Sequence, residues 1–140
     1  MRFLPRSLAL AGLALIASAG HAADLVITIE NIESAEGSLT WVLYASAAAY
    51  ASNSEAKFSA RARVDGETLS LTLHDLPPAR YAIKLFHDAN DNGELDRNAL
   101  GLPTEGYGFS NNAGRFGPPS FEDAAIELGA ENTTLTISVR

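Results

Sequence analysis

The chain contains no cysteine, so no disulfide can staple it and no thiolate can ligate a metal or act as a nucleophile. Basic residues are scarce as well. Ten Lys+Arg stand against 17 Asp+Glu, a formal net charge of −7, which disfavours nucleic acid or an anionic membrane surface as a partner. The longest apolar run, from about Leu8 to Ala17, falls well short of the roughly 20 residues that span a bilayer. No phosphate-binding glycine loop, dinucleotide fingerprint, HExxH zinc helix or Gly-x-Ser-x-Gly elbow occurs, which removes the enzyme classes most readily announced by a motif.

What is present begins with a leader. Residues 1–22 combine a basic start (Arg2, Arg6), the short apolar run, and small residues Gly20 and Ala22 on either side of His21, the pattern of a secretory signal peptide. Cleavage after Ala22, or one residue later, leaves a domain of residues 23–140 with no transmembrane segment. It carries 8 Lys+Arg against 17 Asp+Glu, a net −9 that favours cations. No Cys follows the leader, which argues against an N-terminal lipid anchor. The expectation is one exported domain, periplasmic or secreted and monomeric, stabilised by packing or a bound ion in place of disulfides.

The mature chain alternates at period two. Leu25, Ile27 and Ile29 share one face of a first strand, and Leu39, Trp41 and Leu43 one face of a second. The opposite face of the second, Thr40, Val42 and Tyr44, is also largely apolar, as in a central strand. Ala47 to Lys57, rich in Ala and Ser, has room for one short helical turn and fits a plain loop equally well. Phe58 to Val64 reads as a third strand, and Asp65-Gly66 as a hairpin turn into a fourth carrying Leu69, Leu71 and Leu73. Pro77-Pro78-Ala79-Arg80 makes a rigid corner before a fifth strand with Tyr81, Ile83 and Leu85. A sixth holds Ala124, Ile126 and Leu128; a seventh holds Leu135, Ile137 and Val139. Seven short strands with polar turns predict an all-β fold, a seven-stranded antiparallel β-sandwich with one long ordered loop.

That loop, Phe86 to Asp123, has neither a strand nor a helix period, and its length marks it as the seat of any specific activity. Within and beside it, LPPARYAIKLFHDANDNGELD, GLPTEGYGFSNNA and FGPPSFEDA resemble the bacterial exported family DUF2141, a domain of unknown function. The resemblance extends over nearly the whole mature chain; Ala79 stands where such corners commonly have Gly. It implies a sandwich of the immunoglobulin-like or transthyretin-like kind and supplies no reaction.

Three constellations carry chemistry. Asp88, Asn90, Asn92, the Glu94 carbonyl and Asp96 fall on positions 1, 3, 5, 7 and 9 of a Ca²⁺ loop, with Gly93 at the sharp sixth position. Ala99 stands where a bidentate Glu would close the sphere, so a further ligand must come from Asn98, Glu105, Glu122, Asp123 or water. The competing reading is an Asx-rich turn without an ion. Next, Tyr107, Phe109, Asn111, Asn112 and Phe116 interleave rings and amides suited to a carbohydrate, a peptide or an envelope protein, or else to an Ω-like loop packed on itself. Finally, His87, Glu105 and Ser110 would suit a periplasmic hydrolase only if the fold brought them into hydrogen-bond reach. A binding module holding structural Ca²⁺ is the reading these residues favour, and a purely structural module is the other alternative.

Overall fold

The computed structural model describes residues 20–140, so the leader lies largely outside the described residues. Its strands are β1 (Ala23–Glu30), β2 (Ser38–Tyr44), β3 (Phe58–Arg63), β4 (Leu69–Leu76), β5 (Ala79–Asp88), β6 (Tyr107–Phe109), β7 (Ile126–Leu128) and β8 (Thr133–Ser138). Among the described residues two short α-helices accompany them, α1 (Ala47–Ser52) and α2 (Phe121–Ala124), with a 3₁₀ turn at Ser110–Asn112. One sheet has the order β4-β1-β8 and the other β3-β2-β5-β6, with β7 paired to the first residues of β5.

The alternating apolar residues face each other across these sheets. Leu25, Ile27 and Ile29 from β1 meet Leu39, Trp41 and Leu43 from β2 and Ile83 and Leu85 from β5 in a single core cluster, all buried. Burying side chains of that size, at roughly 1.5–3 kcal/mol each, is the main force closing the two layers. At one side the layers are also joined by backbone: Tyr107 and Arg140 exchange N–H···O bonds of 3.1 and 3.0 Å, linking β6 to the chain just past β8.

The fold departs from the sequence-based expectation in four places. Among the described residues the strands number eight, because Tyr107–Phe109 forms β6 inside the stretch read as irregular; Gly108 hides the alternation. The pairing is not wholly antiparallel: β1 and β8 run parallel, with Ile27 opposite Leu135 and Ile29 opposite Ile137. Asp65-Gly66 is not a hairpin turn. It carries the chain from β3 in one sheet to β4 in the other, and the bonds Val64 N–H to Gly37 O (3.1 Å) and Ile32 N–H to Glu67 O (3.0 Å) fix that crossing.

The fourth departure is Ala124, which closes α2 and does not open a strand. Ser120 accepts from the Asp123 N–H while the Asp123 carboxylate accepts from the Ser120 N–H, a capping box that sets the helical turn. Helix α1 falls inside the stretch allotted to a helical turn, capped by the Ser46 hydroxyl. Together α1 and α2 cover one end of the outer face of the larger sheet. Tyr44, Tyr50, Ala82, Phe121 and Ala124 form a second, smaller buried cluster there.

Candidate ligand groove and the Asp/Asn loop

Beyond that second cluster the outer face of the larger sheet stays open. In β2, β5 and β6 the register sets Val42, Lys84 and Phe109 in one row and Thr40, Phe86 and Tyr107 in the next. All of these but Thr40 floor a groove of about 690 Å³. Its walls come from the long loop: Leu95, Arg97, Leu102, Arg115 and Phe116. The volume lies within the range of small-molecule sites, roughly 300–1,000 Å³. Tyr107 and Phe109 meet edge to face with ring centroids 6.0 Å apart, giving the floor a stiff aromatic corner. Leu102 is 57% exposed and Phe116 97%, so the rim is apolar as well as the floor.

Lys84 stands where the groove meets the helices. Its Nζ donates to the Tyr50 carbonyl and to Asn53 Oδ1, both at 2.7 Å, and lies 3.9 Å from the Tyr50 ring centroid. Burial pushes the Lys84 ammonium below its ordinary pKa, and burial foremost pushes the Tyr50 phenol up to about 12. Sequence reasoning passed over Lys84, Phe86, Arg97 and Arg115. The apolar outer face of β2 was the available signal, since a strand apolar on both faces must be covered on both.

The Asp/Asn loop is built around Asp88, which is fully buried at the end of β5. Asp88 Oδ1 accepts from the Asn92 N–H (3.0 Å) and Oδ2 from the Gly93 N–H (2.7 Å) and Arg61 Nη2 (3.0 Å). Asp91 ties the same corner to Ser38 (2.6 Å) and Arg61 (2.9 Å). Asn90 and Asn92 donate to the two oxygens of Asp96 at 2.7 and 2.6 Å, while the Glu94 N–H donates back to Asn92 Oδ1 at 3.0 Å. Asn90, Asn92 and Asp96 thus converge, while Asp88 turns to the backbone and to a guanidinium. Each residue considered for the remaining ligand is engaged elsewhere. Asn98 Oδ1 caps Leu100 and Leu102, and Glu105 accepts from the N–H groups of Ala89 and Asp96. Glu122 pairs with Arg80, and Asp123 caps α2. Among the described residues no group of three or more His, Cys, Asp or Glu is arranged to hold a metal ion.

Residues 27–136 match the family described as "Uncharacterized protein conserved in bacteria (DUF2141)". The chain belongs to that family. No curated protein and no solved structure shows significant similarity to it.

In this DUF2141 chain the remaining loop residues serve its framework. Ser110 is buried beside β5; its hydroxyl accepts from the Ile83 N–H (2.9 Å) and donates to the Ala124 carbonyl, filling the gap in the ladder between β6 and β7. Asn111 donates to the carbonyls of Asp123 (3.2 Å) and Ala125 (2.7 Å), and Asn112 accepts from the Ser138 N–H (2.8 Å). Both have positive φ, 59° and 48°, a region where Asn is enriched. Neither lines the groove, whereas Tyr107, Phe109 and Phe116 do. His87 is buried and donates from Nε2 to the Glu36 carbonyl at 2.7 Å. Its imidazole, the Ser110 hydroxyl and the Glu105 carboxylate are held by different partners.

Proposed function

We propose that this DUF2141 chain is an exported binding module of the bacterial envelope whose working surface is the aromatic groove on the larger sheet. The leader pattern of residues 1–22 supports export. The observation that carries the binding reading is the groove itself: a floor of Phe86, Tyr107 and Phe109, half-buried and open to the groove, beside a second cluster that is fully covered. A protein with no ligand for this surface would gain stability by closing the loop over it, since each buried ring stabilises by a few kcal/mol. The test uses protein recovered from the host's envelope fraction, expected to begin at Ala23 or Asp24. Titration with the neutral dye N-phenyl-1-naphthylamine should give saturable fluorescence enhancement, weakened about tenfold by Tyr107→Ala, which removes one aromatic contact. Retention of residues 1–22, or no saturable binding, defeats this reading and leaves a purely structural module.

A second reading, that the loop of residues 88–96 takes structural Ca²⁺, is favoured by the convergence of Asn90 and Asn92 on Asp96. Rotating both amides would present their oxygens beside that carboxylate, an arrangement that requires a cation between them. Free Ca²⁺ at 100 times its dissociation constant should then add about 2.7 kcal/mol to unfolding. Asp96→Ala should abolish the gain and Asp91→Ala retain it. An unchanged melting temperature of chelator-stripped wild type in millimolar Ca²⁺ rules the ion out.

A further inference from the structure

The charges around the groove are sorted against the chain's average. Acidic residues outnumber basic ones 17 to 10 in the sequence, yet Lys84, Arg97 and Arg115 line the groove and no Asp or Glu does. Arg61 and Arg80 both pair with carboxylates, whereas the three groove cations have no carboxylate partner among the described residues. Arg97 donates to the Gly101 carbonyl at 3.0 Å, and the Arg115 guanidinium lies 5.7 Å from the Phe116 ring centroid.

Lys84 decides the direction. Its ammonium is half-buried, and what surrounds it is neutral: a backbone carbonyl, an amide oxygen and the rings of Tyr50 and Tyr44. A cation withdrawn from water without a counter-charge is costly, and an anion beside it recovers part of that cost. The rings of Phe86, Tyr107 and Phe109 lie next to it, so an anion that neutralises Lys84 and carries an apolar body has a surface there to lay it on.

Resting on the binding-module reading, we propose that the groove binds an amphipathic organic anion. Its aromatic or apolar body lies on Phe86, Tyr107 and Phe109, and its carboxylate, sulfonate or phosphate is held between Lys84 and the rim arginines Arg97 and Arg115. Arginine suits the rim because its planar fork meets such groups with two parallel donors.

The experiment compares two dyes that share one aromatic body. 8-Anilinonaphthalene-1-sulfonate carries a sulfonate, and N-phenyl-1-naphthylamine lacks it. Wild type should bind the sulfonate at least about tenfold more tightly at low salt, the gain of roughly one charge-assisted bond in a sheltered site. That preference should shrink as salt rises. The double variant Arg97→Gln/Arg115→Gln, confined to loop residues, should lose most of the preference, read as the ratio of the two affinities. Lys84→Met should abolish what remains. Equal affinity for the two dyes, or a preference that survives all three substitutions, overturns the anion assignment and leaves the binding module standing. Binding of neither dye overturns both.

Discussion

Asp88→Ala is expected to destabilise the protein by about 3 kcal/mol, the loss of two backbone N–H bonds to a buried carboxylate at roughly 1.5–3 kcal/mol each, less what water restores. Asp88 is fully buried, while the side chain of its partner Arg61 is 46% exposed and can rehydrate, so the cost falls on the N–H groups of Asn92 and Gly93. Asp91→Ala removes a carboxylate that is 55% exposed and should cost less than about 1 kcal/mol, although it too bonds Arg61. Asp88→Asn should remain costly, because either orientation of the amide sets its NH₂ group against a donor, the Asn92 N–H on one side or the Gly93 N–H and Arg61 together on the other. Urea denaturation of the three variants decides the matter. For a domain of this size the large effect corresponds to a fall on the order of 10 °C in melting temperature. Equal, small losses for Asp88→Ala and Asp91→Ala would show that the loop does not depend on its buried carboxylate. The same geometry explains why Asp96, not Asp88, is the informative position for Ca²⁺: removing Asp88 unravels the loop whether or not an ion binds.

Much of this architecture was legible residue by residue. Leu25, Ile27 and Ile29, and Leu39, Trp41 and Leu43, alternate strictly, and all six are buried where the alternation puts them. The double proline after Leu76 marks the passage from β4 in one sheet to β5 in the other. Pairing was less legible, because alternation fixes which face a residue shows but not which strand lies beside it. Asp65-Gly66 has hairpin chemistry, yet β4 runs beside β1, where Leu69, Leu71 and Leu73 oppose Ile29, Ile27 and Leu25. The parallel alignment of β1 and β8 carries no local signal, since it joins strands at opposite ends of the chain.

The candidate site divides along the same line. Tyr107, Phe109 and Phe116 were visible as rings in a glycine-rich loop and do line the groove. Lys84 and Phe86 alternate with the inward Tyr81, Ile83 and Leu85 of β5, and nothing in their sequence surroundings sets Arg97 and Arg115 apart. Their grouping depends on which sheet face the loop folds over. Asn111 and Asn112 illustrate the converse: amides suited to a ligand were needed by backbone groups between strands.

Gly37→Ala is expected to cost about 3 kcal/mol or more, the largest effect of any glycine substitution in the Asp/Asn corner. Gly37 sits at φ 69°, and a Cβ there would lie 2.1 Å from the Asp88 carbonyl oxygen and 2.7 Å from that of Ala89. The left-handed backbone alone costs roughly 1–2 kcal/mol for alanine, and forced overpacking typically adds 1–3 kcal/mol. Neither side can retreat cheaply. Gly37 accepts from the Val64 N–H at 3.1 Å, and the neighbouring Glu36 carbonyl accepts from buried His87 at 2.7 Å. Two other glycines separate the contributions. Gly93, at φ 84° with nothing within 4 Å of an added Cβ, should lose only about 1 kcal/mol on substitution by Ala. Gly66, without positive φ and equally open, should be neutral or gain up to about 0.5–1 kcal/mol through a less flexible unfolded chain. Because the displaced carbonyls belong to Asp88 and Ala89, Gly37→Ala should also disturb the Ala89 to Glu105 bond and the loop that walls the groove. Weaker binding of N-phenyl-1-naphthylamine should accompany the lost stability. A Gly37→Ala protein no less stable than Gly93→Ala would mean that the β1–β2 connection does not press on the Asp/Asn loop as closely as these contacts require.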